Sequence, residues 1–188
     1  MAALPPLPDG LDCACLPRAS GVSAQAQLQP WLAARLGEVA LARDARGRPR
    51  LAQGDADVNW SHSGALLLVA LARAGRVGVD VERQRPRPRA LALARRFFAP
   101  AEADWLQALP AAAREGAFVR LWCAKEALLK AHGHGLSFGL HKAVFGERDG
   151  VLRLLECDAL LGAPDCWFLR EWAPAAGYRA ALAWRRPG

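Results

Sequence analysis

From Ala117 to His132 the chain contains neither Gly nor Pro, and Phe118-Val-Arg-Leu-Trp-Cys-Ala-Lys-Glu-Ala-Leu-Leu-Lys130 is built mainly from strong helix formers. Leu121, Leu128 and Leu129 fall at helical intervals, which predicts a helix beginning near Ala111. Gly133 and Gly135 mark its end, since glycine readily takes the left-handed conformation that closes a helix. Spacings of four residues put Trp122, Glu126 and Lys130 on one face, with Lys125 one position round from Glu126. An indole, a carboxylate and an ammonium group therefore point the same way. An ordinary amphipathic helix with a solvated Glu126–Lys130 pair has the same spacing, so the helix alone assigns no chemistry.

A second stretch, Val77-Gly-Val-Asp-Val-Glu82, adds chemistry. Its valines alternate with Gly78, Asp80 and Glu82, so a strand here sends the valines into a core and both carboxylates to the other face. Two like charges at that distance repel unless a cation lies between them. Gly78 shares the carboxylate face, where its missing side chain is expected to leave room for a ligand. Asp80 and Glu82 from a strand with Glu126 from a helix would make an oxygen-rich, incomplete shell. Mg2+ uses such a shell when phosphates and water complete its octahedron. The polar edge of a half-exposed strand is the competing account of this hexapeptide.

The 188 residues suffice for one large domain or two small lobes with a substantial core. The longest apolar run, Ala65 to Ala72, is far too short to span a bilayer, and Met1 to Leu16 lacks the basic start of a secretory leader. Cys13, Cys15, Cys123, Cys157 and Cys166 are odd in number and form no CxxC pair, which suits unpaired thiols in a reducing cytoplasm. Cys13-x-Cys15 is expected in a plain loop. A net charge of +7 calls for an anionic partner. The arginines are spread out, crowding only at Arg43–Arg50 and Arg83–Arg96, without an aromatic nucleic-acid signature. A polyphosphate cofactor and an acidic protein account for the charge without nucleic acid.

Along the chain, residues 1–20 read as loop with at most a short strand, and Ser23 to Leu36 as helix interrupted at Pro30. Arg46-Gly-Arg-Pro-Arg-Leu51 is a turn entering a strand. Ala65 to Ala72 is an apolar strand, and Arg73-Ala-Gly-Arg76 is expected to fold the Asp80 strand back onto it as a hairpin. That pairing brings His62 beside Glu82. Arg83-Gln-Arg-Pro-Arg-Pro-Arg89 reads as a stiff linker between lobes 1–85 and 86–188. Helices follow at Ala90–Phe98, Ala101–Leu109 and Ala111–His132, then strands around Val144, Val151–Leu155, Trp167–Trp172 and Tyr178–Trp184. The fold class is α+β, with helix plus antiparallel strands in each lobe.

Taken together, Asn59-Trp-Ser-His-Ser63, Val77-Gly-Val-Asp-Val-Glu82, Phe97-Phe-Ala-Pro-Ala-Glu102 and Trp122-Cys-Ala-Lys-Glu-Ala-Leu-Leu-Lys130 resemble the 4'-phosphopantetheinyl transferases of the surfactin-synthetase-activating type. The resemblance spans about Gly47 to Leu140. It implies two similar lobes related by a pseudo-twofold axis, in a monomer that supplies internally the interface shorter relatives make by trimerising. It implies transfer of the 4'-phosphopantetheine arm of coenzyme A to a serine of an apo acyl or peptidyl carrier protein, with release of 3',5'-ADP. Mg2+, or Mn2+ in its place, would be held by Asp80, Glu82 and Glu126. Glu126 or a water on the metal would be the base, and Lys130 would stabilise the leaving phosphate. Ser61 and His62 would meet the 3'-phosphate and adenosine, Lys125 would be a second phosphate contact, and Arg48 would stand where the family has a nucleotide-binding lysine. The carrier would dock near Phe97, Phe98 and the Trp122 helix. This chain departs from the family at Gln25, where relatives carry a basic residue, leaving Arg35 and Arg43 as substitutes, and in a shortened first lobe.

Two other classes share parts of the pattern. Asp-x-Glu on a strand with a nearby lysine also occurs in metal-dependent nucleases, but those place the lysine on a strand, whereas Lys125 and Lys130 are on the helix. A non-catalytic module binding coenzyme A or a carrier is the third, and it would not need three carboxylates and two lysines together.

Overall fold

A computed structural model describes residues 6–52 and 54–186; residues 1–5, on which the expectation about a secretory leader partly rests, lie outside that range. The strands are β1 (Leu11–Pro17), β2 (Leu41–Arg43), β3 (Pro49–Leu51), β4 (Asp57–Ser63), β5 (Leu66–Ala72), β6 (Arg76–Arg83), β7 (Ala143–Arg148), β8 (Val151–Cys157), β9 (Trp167–Trp172) and β10 (Tyr178–Arg185). The helices are α1 (Ala24–Leu36), α2 (Ala90–Phe97), α3 (Pro100–Ala108) and α4 (Ala111–His132). The fold is α+β with antiparallel sheets. No described helix is long and apolar enough to cross a membrane.

All of β5 is buried, and its alternation builds two cores at once. Leu67 and Val69 pack with Leu28 and Leu32 of α1, while Leu68, Ala70 and Ala72 pack with Val77, Val79 and Val81 of β6 and with Leu182 of β10. Apolar burial at roughly 25 cal/mol per Å² on both faces makes β5 the strand that ties the layers together. Its sheet has the order β1-β5-β4, and a second sheet has the order β6-β10-β9. The far face of the second sheet, including Ala181 and Ala183, packs on α4. The layers are thus α1, sheet, sheet, α4.

Several expectations change here. The β5–β6 hairpin does not form a shared ladder, because Arg73–Gly75 carries the chain from one sheet into the other, and β6 pairs with β10 in the register Asp80↔Ala181 and Glu82↔Arg179. The β1-β5-β4 sheet thus draws its strands from before Arg73, and the β6-β10-β9 sheet from Arg76 onward. From each of β1 and β6 the chain repeats the sequence strand, helix, two-stranded ribbon, strand, strand, with α2 and α3 inserted in the second pass. Cys13 and Cys15 lie in β1, not a loop, opposite Ala70 and Leu68. Burial, with Cys15 adding, pushes the Cys13 thiol up to about 12. Helix α1 runs continuously through Pro30, with Ser23 Oγ capping its start by accepting from Ala26 N.

Candidate active site

The site is built where α4 crosses β6, and Gly78 permits the crossing. A Cβ at Gly78 would lie 2.1 Å from the Ala127 carbonyl and 2.4 Å from the Ala131 amide. The space expected to admit a ligand is therefore filled by the helix backbone. Glycine sets a close approach that delivers Glu126 and Lys130 to the carboxylate face of β6. Gly133, in the left-handed conformation at φ 95°, ends α4 and donates its N–H to Leu129.

The free edge of β6 is closed by side chains instead of a neighbouring strand. On β4, Asp57 Oδ2 accepts from Val77 N (2.8 Å), Asn59 Oδ1 from Val79 N (3.1 Å) and Ser63 Oγ from Arg83 N (3.0 Å). Ser61, on the same face of β4, donates to Asp80 Oδ1 at 2.8 Å. Asp57, Asn59 and Ser63 thus satisfy backbone donors of β6 that would otherwise be stranded, and Ser61 between them engages the Asp80 side chain. His62, on the opposite face, is exposed and is not brought to the carboxylates.

Lys130 is the hub. Its Nζ donates to Asp80 Oδ1 (2.6 Å), Ser61 Oγ (3.0 Å) and the Val79 carbonyl (3.2 Å). Asp80 is 4% exposed, and its second oxygen, Oδ2, is buried with no hydrogen-bond partner among the described residues. Glu82 accepts from Arg87 (3.0 Å) and Ser63 (3.4 Å); burial and then Asp80 push its carboxyl above the ordinary range. Glu126 is pushed up to about 7, chiefly by burial, with Asp80 and Glu82 adding and Lys130 opposing. Cys123 sits beside this group, its thiol raised by burial and by Asp80 and Glu82. Three coupled carboxylates and one ammonium share a poorly solvated corner.

Among the described residues no three His, Cys, Asp or Glu side chains form a ready-made metal cluster; Lys130 supplies the positive charge at Asp80 Oδ1. A divalent ion fits in charge and donor chemistry at the unpartnered Asp80 Oδ2, where an uncompensated buried oxygen is otherwise costly.

Two expected phosphate contacts are turned inward. Lys125 is fully buried, paired with Glu102 Oε2 at 2.7 Å, and donates to the carbonyls of Leu140 (2.9 Å) and Ala143. Glu102 in turn accepts from Ala99 N (2.9 Å) and Phe145 N (2.8 Å). That network spends the ammonium on the protein interior. Arg48 is 7% exposed, and all five of its N–H donors are used, on Asp57 Oδ1 and Oδ2 and on the carbonyls of Pro49, Val77 and Lys130. No donor is left for a nucleotide. Phe98 is also buried, stacked on Phe118 at 5.2 Å with Trp122 beside them, so of the expected docking aromatics only Phe97 is exposed.

Beside Lys130 opens a cleft of about 240 Å³ bounded by Arg43, Arg46, Trp60 and His134. Arg43 lies over the Trp60 ring at 5.6 Å. Arg35, the other expected substitute, is instead engaged by Trp31 and Asp12. Arg46, Trp60 and His134 were not singled out by sequence. The polar alternation of β4, which puts Trp60 on the face opposite Asn59 and Ser61, is the signal that reaches Trp60.

An acidic strand, a helix bearing one further carboxylate and one reachable lysine, and a cationic cleft with an aromatic wall lie side by side here. A sequence profile of the 4'-phosphopantetheinyl transferase superfamily matches residues 76–183, more than half of the chain, and the chain belongs to that family. It is similar to HetI, a 4'-phosphopantetheinyl transferase of Nostoc sp., at 35% identity over 157 residues, covering 81% of this chain and 63% of HetI. It is also similar to slr0495, a putative 4'-phosphopantetheinyl transferase of Synechocystis sp., at 41% identity over 102 residues, covering 53% of this chain and 42% of that protein. The chain thus spans less than two thirds of the length of either relative.

Proposed function

We propose that this protein transfers the 4'-phosphopantetheine arm of coenzyme A to a serine hydroxyl of an apo acyl or peptidyl carrier protein, releasing 3',5'-ADP. The observation that carries this is the Lys130–Asp80–Ser61 cluster, with its unpartnered Asp80 oxygen, at the wall of a cationic cleft. Asp80, Glu82 and Glu126 would hold Mg2+, or Mn2+, which would neutralise charge on the pyrophosphate. The nucleotide end would lie in the cleft, against Trp60 and Arg43, with Arg46 and His134 also lining it. His62 and Ser61 remain proposed contacts at its margin.

A proton leaves the serine as its oxygen bonds to phosphorus and the bond from phosphorus to the 3',5'-ADP oxygen breaks. Glu126, or a water on the metal, would accept that proton, a contribution worth roughly 10²–10⁴-fold in rate. Lys130, held at three points, faces the leaving phosphate with a fixed positive charge and a proton to give. The carrier would meet Phe97, with Arg96 over its ring at 5.0 Å, as a basic and apolar patch suited to an acidic helix. We also propose two similar lobes in a cytoplasmic monomer, a reading that the repeated order of elements along the chain supports and that size-exclusion at several concentrations checks.

The test is the mass of an apo carrier protein after incubation with this protein, coenzyme A and Mg2+, beside Glu126→Gln. Gain of one phosphopantetheine arm, absent with the variant, supports reaction and site together. Carriers that stay apo while coenzyme A binds would reduce the protein to a binding module.

A further inference from the structure

We propose that Arg48, with Asp57, is a positioning pair that sets the geometry of Lys130 from behind; its catalytic consequence rests on the function proposed above. Lys130 belongs to the last turn of α4, where carbonyls lack helical partners. Its carbonyl is taken by Arg48 Nε at 2.9 Å. The rest of the guanidinium grips Asp57 through two bonds, of 2.7 and 2.6 Å, and the Val77 carbonyl at 3.0 Å. Asp57 closes the circuit by accepting from Val77 N at 2.8 Å. The stem of Arg48 rests against Gly133, where a Cβ would come within 3.4 Å of Arg48 Cδ.

One planar fork thus fastens the β2–β3 turn, the first residues of β6 and the end of α4. Lys130 is held at both ends: its backbone by Arg48, and its amine by Ser61, Val79 and Asp80. Since β6 carries Asp80 and α4 carries Lys130, locking Val77 to the Lys130 carbonyl fixes the separation of the two charged groups. A lysine at position 48 would keep the charge but could not serve a carboxylate bidentately and two carbonyls at once. Arg48→Lys therefore separates positioning from direct contact with a nucleotide.

The lysines of the chain are Lys125, Lys130 and Lys142. Lys125 is buried, and Lys142, about a third exposed and paired with Asp158, serves as internal reference. Acetic anhydride labelling of the folded protein, followed by peptide mass spectrometry, reports directly on the Lys130 amine. In Arg48→Lys and in Asp57→Asn, labelling of Lys130 relative to Lys142 should rise several-fold. In the transfer assay kcat should fall ~10-fold or more, with KM for coenzyme A within about twofold. Unchanged labelling in both folded variants would overturn the proposal, as would a raised KM at constant kcat, which would mark Arg48 as a ligand contact. Should one variant fail to fold, the other still decides. A wild-type protein that transfers nothing would sink the proposed function, while the labelling result would still judge the positioning role.

Discussion

Helix α4 carries two lysines that each meet a carboxylate at nearly the same distance: Lys125 to Glu102 at 2.7 Å, and Lys130 to Asp80 at 2.6 Å. At about 100° per residue the offset of five residues turns the side chains by about 140° relative to each other. The two pairs therefore enter different environments. Neither side chain of the first pair is exposed at all, and beyond each other they bond to the backbone of Ala99, just ahead of α3, of Leu140, and of Ala143 and Phe145 in β7. The Lys130 side chain is 26% exposed, lines a cleft, and faces an aspartate with one oxygen free. Equal distances hide unequal roles: one pair is finished, the other is incomplete and available.

Breaking the finished pair should have the largest effect. Glu102→Ala strands a buried cation and two amide donors, and should destabilise the fold by about 3–5 kcal/mol in urea unfolding. A loss below about 1 kcal/mol would show that the pair is solvated. Burial already pulls the Lys125 ammonium below its ordinary range, and Glu102 opposes that.

Next comes the crossing that makes the second pair. Gly78→Ala drives a methyl group into the backbone at Ala127 and Ala131, so α4 must lift from β6. We expect about 2–3 kcal/mol of destabilisation together with loss of transfer, because Glu126 and Lys130 move away from Asp80. An active, unperturbed Gly78→Ala protein would refute the crossing.

The incomplete site should also reveal itself through pH. Glu126 has a folded-state value near 7 against an ordinary 4.5. Between those values the unfolded chain has released the proton and the folded chain retains it, so stability falls as pH rises from about 4.5 to 7. Without added divalent ions, Glu126→Gln should remove that part of the slope and be more stable at pH 8 by on the order of 2 kcal/mol. Parallel pH profiles for variant and wild type in thermal unfolding would contradict this. At the rim, the Arg87–Glu82 pair is about a quarter exposed on each side, so Arg87→Gln should change stability by no more than ~0.5 kcal/mol.

The comparison also explains what could be read from the sequence. The span of α4, the strands of the second half and the shared face of Asp80 and Glu82 follow from local periodicity, and all appear in the structure. Residues whose role is set by a distant partner were not legible. Lys125 looked like a phosphate contact because nothing near it in sequence names Glu102. Arg48 looked like a nucleotide contact because Asp57 and the Lys130 carbonyl meet it only after folding. A strand pattern predicts open space at Gly78, since it does not say which backbone crosses there. Both faces of β5 are apolar, so alternation does not reveal that β1 and β4, rather than β6, flank it.

The most direct measurement compares carrier modification by two folded proteins, Lys130→Met and the double variant Lys125→Met with Glu102→Gln, using mass gain of an apo carrier as readout. The double variant removes the charge of the finished pair while keeping an acceptor for a buried amide. It should transfer at a rate within about threefold of wild type, whereas Lys130→Met should fall by ~100-fold or more. Transfer lost in the folded double variant but kept in Lys130→Met would reverse the roles assigned to the two lysines and contradict the account.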